Sequence, residues 1–169
     1  MSPCLRTAVQ AVPALLLAAC AAFTGPPLAV GQSEAEVRAL MGAPTGRHAL
    51  ADGATRLEYA TGPYGRHTWM VDLGPDGRAR RVQQVLTLSN LWDFASRATG
   101  LRPEEVLREL GRPGERRPGG LAGGETWSWR YVTNDCLWWQ VSIGADGRVT
   151  GAGQGIDPMC DARDPPGRD

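Results

Sequence analysis

The sequence contains no lysine: its 18 basic residues are all arginine, and 18 acidic residues balance them to a formal net charge of zero. The absence of lysine excludes a P-loop nucleotide site and Schiff-base chemistry. Histidine is scarce as well, since His48 and His67 are the only two, and with four cysteines a zinc site is hard to assemble. Without a basic excess, nothing favours nucleic acid or an anionic membrane surface. We therefore predict a non-enzymatic protein with no cofactor, no metal, no nucleic-acid partner and no small-molecule substrate.

The N-terminal apolar run is too short to span a membrane. It extends from Ala11 to Ala19 and follows the basic residue Arg6. A transmembrane helix needs roughly 20 apolar residues, whereas a run of this length after a positive charge is typical of a secretory signal peptide. We predict a signal peptide over residues 1–19.

The end of this segment resembles the bacterial lipobox, because small residues lead directly into a cysteine in Leu17-Ala18-Ala19-Cys20. The resemblance implies that Cys20 is acylated and that residues 20–30 form a lipidated tether. Ala21 after the cysteine implies sorting to the outer membrane, with the chain facing the periplasm. The alternative is an ordinary signal peptide cut near Ala22.

Two cysteines remain for the mature domain, Cys136 and Cys160. In an oxidising periplasm a disulfide between them is the expected state. A hairpin turn at Asp146-Gly147 would place Cys136 opposite Asp157, three residues before Cys160. The alternative is a pair of buried free thiols.

The chain is internally duplicated. Motifs recur in the same order at an offset of 69 to 72 residues, which indicates a tandem repeat. We place the repeats at residues 31–87 and 100–160, a short connecting helix at 88–99 and a disordered tail at 161–169. The recurring pairs are Gly31-x4-Glu36-Val37 with Gly100-x4-Glu105-Val106, Met41-Gly42-Ala43-Pro44 with Leu110-Gly111-Arg112-Pro113, Leu57-Glu58-Tyr59 with Trp129-Arg130-Tyr131, and Trp69-x-Val71-x-Leu73 with Trp139-x-Val141-x-Ile143.

Each repeat has the pattern of a helix followed by strands. In the first, Ser33 and Glu36 form a capping box and Gly42 ends the helix. The period of the apolar residues then changes to two, and Asp76-Gly77 and Asp146-Gly147 predict type I′ turns. The predicted fold is α+β: two tandem repeats, each a short helix or helix pair followed by a three- to four-stranded antiparallel meander.

The helix motif resembles the BamE (SmpA/OmlA) family of small outer-membrane lipoproteins. It matches at Gly31, Ser33, Glu36, Val37, Gly42 and Pro44, and again at Gly100, Glu105, Val106, Gly111 and Pro113. Arg102-Pro103 replaces the polar cap in the second repeat. The resemblance implies a lipid-anchored accessory or adaptor in β-barrel outer-membrane protein assembly, which binds a protein partner in the cell envelope. The duplicated unit also resembles the secreted β-lactamase-inhibitor proteins, and the alternative function is a module that binds and inhibits a periplasmic enzyme.

Trp138 and Tyr64 are the candidate interface residues. Trp138 and Trp139 are adjacent in a predicted strand, so their side chains point to opposite faces. Trp139 shares the parity of the core residues, whereas Trp138 shares that of the polar face. Trp138 is then either covered by a neighbouring loop or repeat or available to a partner. His48 and His67 are predicted surface residues.

Overall fold

The computed structural model of the protein describes residues 26–161. The predicted signal peptide (1–19), the predicted lipidation site Cys20 and the final residues 162–169 lie outside the described range. The four α-helices of this range are α1 (Glu34–Met41), α2 (Leu88–Ala98), α3 (Pro103–Leu110) and α4 (Pro158–Asp161), and short 3₁₀ helices lie at Ala51–Gly53 and Gly120–Ala122. The strands are β1 (Gly46–Ala49), β2 (Thr55–Ala60), β3 (Thr68–Leu73), β4 (Ala79–Gln84), β5 (Glu115–Pro118), β6 (Glu125–Trp129), β7 (Leu137–Ile143) and β8 (Val149–Ile156).

The predicted α+β fold of two tandem repeats is confirmed. Strands β1 to β4 form one antiparallel sheet and β5 to β8 a second, each in sequential order. We call them sheet 1 and sheet 2. Helix α1 precedes sheet 1, and the pair α2 and α3 precedes sheet 2, so each repeat is a helical segment followed by a four-stranded meander.

The helix starts follow from their capping residues. Ser33 Oγ accepts the Glu36 N–H at 3.3 Å, and Glu36 Oε2 accepts the Ser33 N–H at 2.7 Å. At α3 the equivalent residue, Arg102, has no side-chain oxygen to accept a bond. Only the return contact remains, from the Arg102 N–H to Glu105 Oε2 at 2.9 Å. Pro103 at the first helical position compensates in part, because its fixed φ suits a helix start.

The predicted type I′ turns are wrong. A type I′ turn needs positive φ at both central residues, but in the first hairpin Asp76 keeps a negative φ and only Gly77 is left-handed, at +72°. Gly77 N–H donates to the Gly74 carbonyl at 2.9 Å, and Gly74 N–H donates to the Arg78 carbonyl at 2.9 Å. Pro75 holds its φ near −65°, which favours a type I turn followed by a left-handed glycine.

The second hairpin has the same turn, with Gly147 at a φ of +74°. The register of β7 and β8 shifts between Ser142 and Ile143. Beyond this shift the two strands pair in the predicted register, with Leu137 opposite Ile156. The Asp157 N–H donates to the Cys136 carbonyl at 3.0 Å, so Cys136 lies opposite Asp157 as expected.

The helices pack on the sheets through two apolar cores. The first lies between α1 and sheet 1 and contains Val37, Leu57, Tyr59, Val71, Leu73 and Ala79. The second lies between α2, α3 and sheet 2, and it also takes in Met70 from the opposite face of sheet 1. Sheet 1 is therefore covered on both faces, by its own helix and by the helices of the second repeat.

A buried carboxylate joins the repeats. Glu58 on β2 is 2% exposed, and its Oε1 accepts the backbone N–H of Arg112, just after α3, at 3.0 Å. Thr45 Oγ1 donates to the same oxygen at 2.9 Å, and His48 Nε2 lies 3.0 Å from Glu58 Oε2. The prediction that His48 is a surface residue is wrong. Its imidazole contacts this carboxylate, and its side chain is only 17% exposed. His67 is exposed, as predicted.

An arginine reinforces the same junction. Arg56 donates to both carboxylate oxygens of Asp72, at 2.6 and 2.8 Å, and to the Arg108 carbonyl in the last turn of α3 at 2.8 Å. The Asp72 hydrogen bond raises the pKa of Arg56. A guanidinium at the C-terminal end of a helix also interacts favourably with the helix dipole.

The same substitution, glycine to alanine, should lower the stability by different amounts at the equivalent residues Gly42 and Gly111, because only Gly111 lies at this junction. Gly42 and Gly111 end α1 and α3 with φ of +79° and +77°. Gly42→Ala should lower the free energy of unfolding by about 1–3 kcal/mol, because its φ of 79° and ψ of −157° lie in a region that essentially only glycine adopts. Gly111→Ala should cost a further 1–3 kcal/mol, roughly, because its Cβ would lie 2.8 Å from Thr68 Cγ2. Urea unfolding of both variants measures this, and equal losses would contradict the packed junction.

Candidate functional site

Arg130 is the centre of a cluster that joins three segments of the chain. It follows β6 directly, and its Nε and Nη2 donate to the two carboxylate oxygens of Asp157 at 2.6 and 2.8 Å. Its Nη1 donates to the Pro63 carbonyl at 2.8 Å, in the loop of residues 61–67 between β2 and β3. One guanidinium thus ties sheet 2, the segment before α4 and a loop of the first repeat together.

The charges of this pair stabilise each other. The Arg130 hydrogen bond lowers the pKa of the Asp157 carboxyl, and the Asp157 bond raises the pKa of Arg130. Both side chains are about nine-tenths buried, so water screens them weakly. A two-point contact between arginine and carboxylate also fixes the plane of the guanidinium.

The structure brings the two candidate interface residues together around this guanidinium. The Arg130 Cζ lies 5.4 Å from the Tyr64 ring centroid and 5.3 Å from that of Trp138. Arg117 Cζ lies 5.4 Å from the same Trp138 ring. These are cation–π distances.

Of the two alternatives for Trp138, the structure shows the one in which it is covered, so as a candidate interface residue it is corrected: it is not available to a partner. Its side chain is 1% exposed, although it lies on the face of β7 opposite the core residue Trp139. Arg117 and Arg130 cover its ring, because long arginine side chains bury their aliphatic stems on apolar surface. Its Nε1 has no hydrogen-bond partner within the described residues.

Tyr64 is accessible: 71% of it is exposed. Its loop is held by Thr61, whose N–H donates to the His67 carbonyl at 3.1 Å, and by the Arg130 contact to Pro63. Met159 on α4 is 45% exposed beside it, and the two residues border an open cleft of about 290 Å³. We call the patch of Tyr64, Arg66, Arg117, Arg130 and Met159 the Tyr64 surface.

A disulfide supports this surface. Cys136 and Cys160 are joined, with Cα atoms 5.8 Å apart. Between them, the Asp157 carbonyl accepts the Cys160 N–H at 2.9 Å, and Asp157 Oδ1 accepts the Met159 N–H at 3.0 Å. The cysteine pair therefore holds the carboxylate that orients Arg130.

Sequence reasoning missed Arg130 and Asp157. The duplication contained a signal for the arginine, because Leu57-Glu58-Tyr59 aligns with Trp129-Arg130-Tyr131. Glu58 and Arg130 are thus equivalent residues of opposite charge, and each makes a contact with the other repeat. The strand pattern placed Asp157 opposite Cys136, but it contained no signal for the pairing of Asp157 with Arg130.

Within residues 26–161, no three His, Cys, Asp or Glu side chains are grouped so that they could hold a metal ion. None of the helices described there is long and apolar enough to cross a membrane.

No known protein family matches the chain, and no curated protein is similar to it. A crystal structure of a DUF4309 family protein (YjgB) from Bacillus subtilis subsp. subtilis str. 168 is similar over 73% of this chain and 78% of that one, with 11% identity. The TM-score is 0.28, so this likeness carries no argument about fold or function. None of these comparisons confirms the resemblance to the BamE family.

The burial of Trp138 predicts its effect on stability. Trp138→Ala should lower the free energy of unfolding by about 3–5 kcal/mol, as Trp139→Ala should, because each removes a fully buried ring. Tyr64→Ala should change it by less than about 1 kcal/mol, because that ring is mostly exposed. Thermal and urea unfolding of the three variants measures the difference. A Trp138→Ala protein as stable as the wild type would restore Trp138 as an exposed candidate.

Proposed function

We propose that this chain is a non-enzymatic lipoprotein of the bacterial outer membrane, a BamE-like accessory or adaptor in the assembly of β-barrel outer-membrane proteins. The sequence support is the lipobox-like segment ending at Cys20 and the helix motifs shared by both repeats. The structural support is the Tyr64 surface, which suits the docking of a protein partner.

The observation that carries the proposal is an exposed tyrosine on a fixed support. Tyrosine and arginine are enriched at protein interfaces, where a ring supplies contact area and a guanidinium supplies directed hydrogen bonds. Because Arg130 and the disulfide already order the loop and its surroundings, a partner would lose little conformational entropy on binding there.

The proposed anchor fits an adaptor that works next to the membrane. Each buried CH₂ of an acyl chain contributes about 0.8 kcal/mol, so several chains on Cys20 hold the protein stably where one holds it marginally. Residues 21–30 then separate the anchor from the first repeat. An anchored module meets envelope proteins at a raised effective concentration, which lets a small interface suffice.

An exposed aromatic patch that spans both sheets would favour the inhibitor-like alternative. In the described part of the chain, the aromatic side chains of the strands are buried, apart from the half-buried Trp69. No observation here favours this alternative over the adaptor.

The anchor is tested at Cys20. The wild type should incorporate labelled palmitate and fractionate with the outer membrane, and Cys20→Ser should lose both, because the thiol that accepts the acyl group is gone. Metabolic labelling and sucrose-gradient fractionation measure this, and Cys136→Ser serves as the control that keeps its label. Labelling that survives Cys20→Ser would show that the lipobox interpretation is wrong.

The adaptor role is tested at Tyr64. A photo-cross-linking phenylalanine analogue at position 64 should give adducts with a subunit of the barrel-assembly machinery in intact cells. The same analogue at Leu121, a fully exposed residue outside the Tyr64 surface, should not.

In cells lacking the wild-type chain, Tyr64→Ala should restore fewer folded β-barrel proteins to the outer membrane than Leu121→Ala does, at equal protein levels. Full restoration by Tyr64→Ala together with no adducts from position 64 would refute the proposed docking site.

A further inference from the structure

Strand β8 is an edge of sheet 2. Its first residue is covered, because the Val149 N–H donates to the Leu101 carbonyl at 2.9 Å and the Val149 carbonyl accepts the Gly100 N–H at 2.8 Å, and the edge is free beyond it. Since the Asp157 N–H donates to Cys136, the alternation of antiparallel pairing directs the N–H and C=O groups of Gly151, Gly153 and Gly155 toward β7. Those of Ala152, Gln154 and Ile156 point away from the sheet. No backbone group within residues 26–161 bonds to them. An extended backbone can pair with all of these N–H and C=O groups at once.

The other edge strands are protected, whereas β8 is not. Strands β1 and β5 have four residues each, and β5 carries two arginines and Pro118. Strand β4 carries Arg80 and Arg81. Short length, charge and proline are the usual means of preventing strand addition. Strand β8 has eight residues, VTGAGQGI, with neither charge nor proline.

Contacts within the described residues do not explain why two positions of β8 are glycine. Gly151 and Gly153 lie on the face of sheet 2 that points away from the helices, and neither has a positive φ. A Cβ at either position would meet no atom within 4 Å. Glycine weakens a strand, and it often marks a place where another chain approaches closely. The equivalent residues of β4 are Arg81 and Gln83, so the repeat itself does not require glycine.

The chain contains a precedent for how such a bare position is covered. Gly155 lies opposite Trp138 on β7, and the side chain of Gln140 on the same neighbouring strand lies over it, because a Cβ at Gly155 would overlap Gln140 Oε1. Gly151 and Gly153 lie opposite the smaller or polar side chains of Ser142 and Gln140. A strand added outside β8 would bring its own side chains beside these two glycines.

An exposed tryptophan flanks the edge on the other face. Trp92 on α2 is 50% exposed and stands perpendicular to Trp139, with ring centroids 5.1 Å apart. Trp139 pairs with Gln154 across β7 and β8, and α2 packs against β8. Ile156 is 67% exposed at the end of the strand. Strand addition uses this combination, in which main-chain bonds provide affinity and adjacent apolar side chains provide selectivity.

We infer that β8 accepts an added strand from a partner protein: an extended, uncharged segment that pairs with Ala152, Gln154 and Ile156 and carries large apolar side chains at alternate positions. The large side chains on one face cover Gly151 and Gly153, and those on the other face contact Trp92. A second copy of this chain fits less well, because antiparallel β8 strands would place glycine beside glycine and leave that face bare. The inference deepens the proposed binding function, on which it rests, by naming the form that a partner takes, and it uses a surface separate from Tyr64.

The test uses the detergent-solubilised full-length chain and a fluorescent, capped eight-residue peptide that alternates phenylalanine and threonine. The peptide should bind saturably, and the same peptide with alternate amides N-methylated should not, because it cannot complete the strand pairing. Hydrogen exchange at Ala152, Gln154 and Ile156 should slow when the peptide is present. Absence of saturable binding, or equal binding of the methylated peptide, would overturn the inference.

Two variants locate the binding to β8. Gln154→Pro removes an outward N–H and should weaken binding at least about tenfold, the effect of one lost hydrogen bond. Gln84→Pro, at the equivalent position of β4, is the matched control and should leave binding unchanged. Gly153→Val keeps the edge hydrogen bonds but fills the bare face, so it should weaken binding of the phenylalanine peptide without unfolding the domain.

The remaining outcomes separate this inference from its alternatives. Tyr64→Ala should bind the peptide like the wild type, so a failed Tyr64 surface and a failed β8 edge give different results. Light scattering should show a monomer. A dimer that dissociates in Gln154→Pro would instead identify a second copy as the occupant and overturn the choice of partner.

Discussion

The arrangement of the two repeats depends on satisfying one buried carboxylate. Glu58 is almost fully buried, and a carboxylate in such a place is costly unless hydrogen bonds compensate for its lost water. Its compensation includes the backbone N–H of Arg112, which follows α3. Because α3 carries Val106 and Leu110 into the second core, this bond helps to set where that core lies relative to sheet 1. The position of sheet 2, and of Arg130 beside the loop at Pro63, then follows.

The duplication has given equivalent residues opposite chemistry. Glu58 and Arg130 occupy the same place in their repeats, on the face of the sheet that points away from its own helix side. Glu58 accepts a bond from the second repeat, and Arg130 donates one to the first. Two glutamates or two arginines could not make this pair of contacts, because one contact needs an acceptor and the other needs a donor. These two contacts, which depend on the difference between the repeats, therefore connect one repeat to the other.

The two repeats also differ in which of their surfaces are covered. The outer face of sheet 1 is covered by the helices of the second repeat, and Thr68, Glu58 and Met70 are buried there. On the outer face of sheet 2, Arg117 and Arg130 shield Trp138. At its β8 edge, the positions that hold Arg81 and Gln83 in β4 hold glycine. Both surfaces proposed for binding thus involve the second repeat, where, among residues 26–161, side chains and not helices cover the outer face and no backbone group bonds to Ala152, Gln154 and Ile156.

Local patterns in the sequence determined the secondary structure. The capping box at Ser33, the alternation along β7 and the register that puts Cys136 opposite Asp157 all depend on residues close in the chain or on strict periodicity. The hairpin turns were mispredicted because Asp-Gly fits more than one turn type: in both hairpins the aspartate keeps a negative φ and only the glycine is left-handed.

Only the tertiary structure decided which polar faces are buried. Trp138 and His48 lie at positions whose parity or neighbours indicated exposure, and both are covered by groups from distant segments. The bonds that organise these places join residues 54 and 67 positions apart, between Glu58 and Arg112 and between Arg130 and Pro63. Hydrophobic periodicity reports whether a residue faces its own helix, but it contains no information about a second repeat that packs on the other side. The sequence by itself therefore determined the repeating unit, and the packing of one repeat on the other decided which of its surfaces remain free.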